Sequence, residues 1–229
     1  MNIPKIILIL LALILFVFAL ITILILRYRR RVLKKQKLLS AVSPGVSGAV
    51  KLFKIQFGKK NVLTNIYIPL INDRKIAGYV YADAVVIAPT KIAVCRIRNE
   101  AGLIYCDDGF DWHQSARLRS GGTVETDFPD PTKNNAEAVK ALRHLFDEAM
   151  IEAPDIEGYV IFAARSVRFS CEKPNVFGLQ DGYVRLKKKT HGGKISRSSK
   201  KTYRKLILTN SASKSKAERF NIKKLTEIT

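Results

Sequence analysis

Residues 1–37 of this 229-residue chain contain no acidic side chain, and residues 185–229 contain two against fifteen basic ones. The stretch between them, 38–184, balances 17 Lys and Arg with 17 Asp and Glu, so the net charge of +21 lies on the flanks. A basic central domain that wraps nucleic acid is thereby excluded, and any electrostatic partner is gripped mainly by the ends. Cysteine is scarce as well. Cys95, Cys106 and Cys171 are odd in number and lack a Cys-x-x-Cys spacing, which suits a reducing cytoplasmic compartment better than a disulfide framework. His113, His144 and His191 are scattered, so a zinc site would need distant positions brought together. No internal repeat, phosphate-binding glycine loop or Ser-His-Asp order is present.

What is abundant comes first in the chain. Residues 6–26 are apolar at every position except Thr22. At 1.5 Å rise per residue the run spans about 30 Å, the thickness of a bilayer core. No small-residue cleavage site precedes Arg27, so the run reads as a retained transmembrane helix rather than a removable signal. Lys5 alone stands before it, while Arg27, Arg29, Arg30, Arg31, Lys34, Lys35 and Lys37 follow. The positive-inside rule then leaves residues 1–5 outside and places the rest in the cytoplasm, at a cell membrane taken to be the bacterial inner membrane. Residues 27–47 form a basic stem and linker, and 185–229 a Ser- and Lys-rich carboxy-terminal region.

Between these flanks, a short helix follows Gly48 and a strand-like run covers 61–70. Two apolar strands, 79–89 and 91–98, are joined closely enough to pair antiparallel. Leu103 to Cys106 adds a short strand, and the polar stretch 107–128 reads as loop or hairpin with Trp112 packed inside or free to stack on a base. Asp130-Pro131 opens an amphipathic helix carrying Val139, Leu142, Leu145, Phe146 and Ala149 on one stripe. An apolar strand at 158–164 follows, as in a crossover onto the same sheet. Tyr183 to Lys187 and Leu206 to Thr209 read as further strands. The fold class expected is α/β, a mixed sheet flanked by helices.

Asp83 in the first paired strand, Arg96-Ile97-Arg98 in the second and the turn Asn99 to Gly102 carry a resemblance. The stretch Ala82 to Asn99 resembles the nuclease-related domain, NERD, a branch of the restriction-endonuclease-like nucleases, whose pattern is an Asp, a hairpin, then Glu-x-Lys-Asn. The likeness covers roughly 48–164 and implies a restriction-endonuclease-like core. It places Asp83 at the family's Asp, Arg96 at its Glu and Arg98 at its Lys. In a later segment, Phe128 to Asn135, Asp130 stands for the family's Asn and Asn134 for its Gln. Gly48-Ala49-Val50 lacks the acid of the family's first helix.

In such enzymes two carboxylates hold a divalent metal on the phosphate, and the lysine stabilises the charge that develops there. Arg96 cannot ligate magnesium, which takes oxygen ligands, so a catalytically inactive site is expected, with Asp83 the only ligand it could offer and no cofactor bound. An active alternative remains open. Glu100 lies two positions beyond Arg98 and would share its face if the strand ran that far, with magnesium as cofactor. The basic residues Arg29, Arg30, Arg31, Lys34, Lys35, Lys187, Lys188, Lys189, Lys200 and Lys201 are the candidates for contact with nucleic acid or lipid. The readings are thus a tethered, inactive nuclease-like module holding DNA or a partner protein at the envelope (transfer, uptake or defence), a nuclease with a migrated acid, or a structural subunit of a membrane complex whose tail rests on anionic lipid.

Overall fold

A computed structural model describes residues 16–27, 45–73, 75–106, 111–118, 120–188 and 193–226. The chain divides into a first unit, Met1–Val42, and a second, Ser43–Thr229. In the first unit residues 16–27 are helical, with Phe16, Phe18 and Leu24 exposed. The remainder of the expected transmembrane helix lies outside the described residues, and among those described no helix is long and apolar enough to cross a membrane.

The second unit opens with α1 (Val46–Phe57), a 3-10 turn (Lys59–Asn61), β1 (Val62–Asn72), β2 (Lys75–Ile87) and β3 (Lys91–Arg98). β1, β2 and β3 pair antiparallel, with Ala84 opposite Cys95 and Ile87 opposite Ile92. β4 (Gly102–Tyr105), β5 (Trp112–Arg117) and β6 (Thr123–Phe128) follow, then α2 (Pro131–Glu148) and β7 (Asp155–Phe162). Asp130 caps α2 by accepting the Thr132 N–H at 2.8 Å, and Pro131, which has no N–H to satisfy, starts the first turn. β7 returns parallel to β3, in register from Lys91 opposite Asp155 to Arg98 opposite Phe162. The expected order of helix, three antiparallel strands, helix and strand is therefore present.

Alternation along the strands sends apolar side chains to both faces of this sheet, so each face needs a cover. One face packs Val85, Ile92 and Val94 against Ala138, Leu142 and Phe146 of α2. The other packs Val86, Ala93, Cys95 and Ile161 against Ala49 and Phe53 of α1. β8 (Val167–Phe169) and β9 (Val176–Gly178) complete two sheets, ordered β1-β2-β3-β7-β9 and β6-β5-β4-β8. The fold is mixed α/β with helix-flanked sheets, as the sequence predicts.

Two expectations change, and of the two readings of Trp112 the packed one holds. The strands predicted at 183–187 and 206–209 are helical, in α3 (Leu179–Lys187) and α4 (Arg197–Asn210), with α5 (Lys214–Thr226) beyond. Their apolar positions, Tyr183 with Leu186 and Tyr203 with Leu206 and Ile207, follow the helical spacing of three and four. Lys and Ser between them hide the stripe in composition. Cys106 and Cys171, expected as thiols, form a disulfide. β4 pairs parallel with β8 at a constant offset, Gly102 to Val167 and Ile104 to Phe169, so the same offset of 65 brings Cys106 opposite Cys171 with Cα atoms 5.9 Å apart. Trp112 is fully buried, parallel to the Phe162 ring at 6.3 Å and edge-on to Phe128, so its face is not available to a base.

Candidate functional site

The pairing of β2 with β3 fixes the first constellation. Ala84 lies opposite Cys95, and the same antiparallel register continued by one pair sets Asp83 opposite Arg96. Opposed residues of antiparallel strands project from the same face, which favours opposite charges there. Asp83, 8% exposed, accepts the Ile97 backbone N–H at 2.8 Å through Oδ2, and Arg96 Nε stands 3.7 Å from that same oxygen. The Arg96 guanidinium lies 5.1 Å from the centre of the Tyr81 ring, and the Tyr81 hydroxyl donates to Asn65 Oδ1 at 2.9 Å. Burial, followed by the charge of Asp83, pushes the Tyr81 phenol well above its ordinary value. Tyr81 therefore stays a neutral phenol through the physiological range.

Arg98 turns to a different partner. Its Nε donates to Glu100 Oε2 at 3.1 Å, its Nη2 donates to Oε1, and its guanidinium lies 5.0 Å over the Phe128 ring. Both oxygens of Glu100 are thus engaged by one planar fork. β3 ends at Arg98 and β4 begins at Gly102, so Glu100 sits in the connection and not on a continued strand face.

Asn134 is exposed on α2, whereas the adjacent Asn135 is buried and donates to the Val94 carbonyl oxygen at 3.3 Å. A Cβ at Gly158 would come within 2.8 Å of Asn135 Nδ2, so the glycine in β7 is what allows α2 to approach the sheet there. The spacing of Asn135, Ala138, Leu142 and Leu145 marks the buried face and could have identified Asn135 over its neighbour.

A second polar cluster escaped sequence reasoning. Lys91, 3% exposed, donates to Glu157 Oε2 at 2.6 Å and to the Tyr159 hydroxyl at 2.5 Å, and Tyr159 also donates to Glu157. Burial works against ionised Glu157, but the hydrogen bonds from Lys91 and Tyr159 and the Lys91 charge outweigh it and hold the carboxyl below its ordinary value. Asp155 moves the other way, raised by burial and then by the Glu157 charge. Alternation of Glu157 and Tyr159 in a strand beside Lys91 was the available signal.

Residues 48–163 match the family model of the nuclease-related domain, NERD. The chain belongs to the NERD family. No curated protein and no solved structure matches it. Within this NERD domain the surroundings of Asp83 and Glu100 do not fit magnesium. A hard cation needs converging oxygen ligands, yet Asp83 faces a guanidinium and Glu100 is held by another. Among the described residues no group of three or more His, Cys, Asp or Glu could hold a metal ion.

Of the basic candidates, Arg29, Arg30, Arg31, Lys34, Lys35 and Lys189 lie outside the described residues. Lys187 and Lys188 end α3, with Lys187 Nζ 4.7 Å from the Tyr183 ring centre. Lys200 and Lys201 instead line a cleft beside the first turn of α4.

Proposed function

We propose that this NERD domain has exchanged metal-dependent hydrolysis for binding, and that it is held at a membrane to retain DNA at the envelope. The observation that carries the exchange is the Arg96 guanidinium 3.7 Å from Asp83 Oδ2, an oxygen that also accepts the Ile97 N–H. In a restriction-endonuclease-like centre that place belongs to a second carboxylate and the metal; here an internal cation fills the electrostatic role. The Arg98 pair with Glu100 supports the same reading, since a migrated acid would have to be free to turn toward Asp83. The apolar run 6–26 with its basic flank supports tethering, and the basic carboxy-terminal region supports contact with phosphates or anionic lipid.

The experiment is retention of duplex DNA by the full-length chain in nanodiscs of neutral lipid, with and without magnesium. Uncut DNA retained in both conditions, more weakly as salt rises, supports the reading. No retention at low salt, or magnesium-dependent loss of the duplex, contradicts it. Should cutting occur, Glu100→Gln decides whether the migrated acid is responsible. If DNA is ignored while anionic vesicles bind the tail, the structural-subunit reading takes its place.

A second topology is favoured by one feature, the Cys106–Cys171 disulfide, because such bonds persist outside the reducing cytoplasm. Thiol-specific alkylation in intact cells separates the two. Modification of Cys106 and Cys171 before any reductant is added places the domain in the cytoplasm, and protection until reduction places it on the other side.

A further inference from the structure

Lys60 and Asn61 of the 3-10 turn, the segment 194–196 and the first two turns of α4 enclose a cleft of about 810 Å³. Six of its lining residues are cationic, Lys60, Lys194, Arg197, Lys200, Lys201 and Arg204, and no carboxylate lines it among the described residues. We propose that this cleft is a binding site for a small ligand carrying two or more adjacent phosphate groups, free or esterified to a nucleoside.

Three observations support that ligand. First, the fold brings Lys60 to the five cations of residues 194–204: the Ile195 N–H donates to the Pro89 carbonyl oxygen at 2.7 Å, tying the 194–196 segment to the β2–β3 turn. Like charges gathered this way repel one another, and a polyanion removes the repulsion while taking charge-assisted hydrogen bonds. Second, Arg204 adds a guanidinium to the lining, and its Nε has no hydrogen-bond partner among the described residues. Third, α4 is a 14-residue helix whose positive end opens on the cleft, and Asn61 and Ser196 add neutral polar groups. Burial and the Lys194 charge hold the Lys200 ammonium below its ordinary value, the direction an approaching anion reverses.

The size argues for a small ligand over a polymer. Volumes of about 300–1,000 Å³ are those of small-molecule sites, whereas a duplex lies along an extended face. The cleft is also remote from the vestigial nuclease position. Pro89 and Arg96 are separated by about 20 Å of strand at 3.3 Å per residue, so the site does not depend on what happened at Asp83.

The test is calorimetric titration of the full-length protein in detergent with inorganic triphosphate, orthophosphate and ATP. Triphosphate should bind at one site and far more tightly than orthophosphate. Lys60→Gln with Lys201→Gln, both exposed positions, should weaken it by about tenfold or more, while Lys187→Gln with Lys188→Gln, an equal charge loss outside the cleft, should not. Tighter binding of ATP than of triphosphate assigns the nucleoside ester as the ligand, and equal binding assigns the free polyphosphate. Absence of triphosphate binding overturns the proposal, and so does equal weakening by both variant pairs. Cleft-dependent binding of duplex DNA or of phosphatidylserine vesicles without binding of triphosphate overturns it in favour of that polymer or surface.

Discussion

Asp83 accepts the Ile97 backbone N–H and faces the Arg96 side chain at 3.7 Å, and the proposed reading makes it a structural residue. Asp83→Ala should destabilise the domain by about 2–3 kcal/mol, because the Ile97 N–H is left buried without a partner and Arg96 loses its counter-charge. A carboxylate kept for a metal behaves oppositely, since its removal from the apo protein leaves stability unchanged or higher. Urea denaturation of the two proteins without added metal separates these outcomes. Lys91 gives a second residue-scale prediction. Lys91→Met should cost about 2 kcal/mol at neutral pH, below the ~3–5 kcal/mol of a fully buried pair because the Glu157 side chain keeps 27% exposure. Glu157 is depressed in the folded state, so the pair stabilises fully above the ordinary glutamate range and loses that contribution as pH falls through the lowered value. Asp155 is raised, so its ionisation lowers stability as pH rises through its folded value, in both proteins. Denaturation across acid pH should therefore show the difference between wild type and Lys91→Met shrinking as pH drops. A constant difference would contradict the pairing.

The elements meet through a few exact fits. Gly102 starts β4 with φ of 83°, and a Cβ there would stand 2.3 Å from the Ser115 carbonyl oxygen and 2.9 Å from the Ala116 Cα, both backbone atoms of β5. Gly102→Ala should cost at least ~2 kcal/mol and loosen the second sheet before the first, read as early amide exchange in β4 and β5. Uniform exchange across both sheets would contradict this. The legibility of elements in the sequence divides along the same lines. The β2–β3 hairpin could be read because its partners are local and both strands are apolar, and with it came Asp83 and Arg96 on neighbouring strands. The β4–β8 pairing was not legible, because nothing near Cys106 announces a strand 65 residues later, and the disulfide went unseen with it. In α2 the helix was plain from its cap and stripe, yet motif matching chose Asn134 where helical phase selects Asn135. The turn expected at Asn99 to Gly102 keeps Glu100 off the strand face, but its pairing with Arg98 depends on side-chain placement that spacing does not carry.

At the scale of the whole molecule, a charge-balanced NERD domain sits between two cationic flanks. The sequence showed where the charge is but not how 185–229 folds, since its apolar residues are spaced among lysines and serines. Folded, that region supplies α4 and α5, with Ile207 and Ala217 buried, and gathers Lys194, Lys200 and Lys201 with Lys60 around one cleft. The region is therefore part of the domain's packing as well as a source of charge. The central claim, that Arg96 has taken the place of the metal's second carboxylate, is tested most directly by incubating the purified full-length protein and its Asp83→Ala variant with linear duplex DNA in magnesium or manganese. The account predicts that neither protein cuts in either metal. Cleavage by the wild type that is abolished by chelation and absent from Asp83→Ala would contradict it.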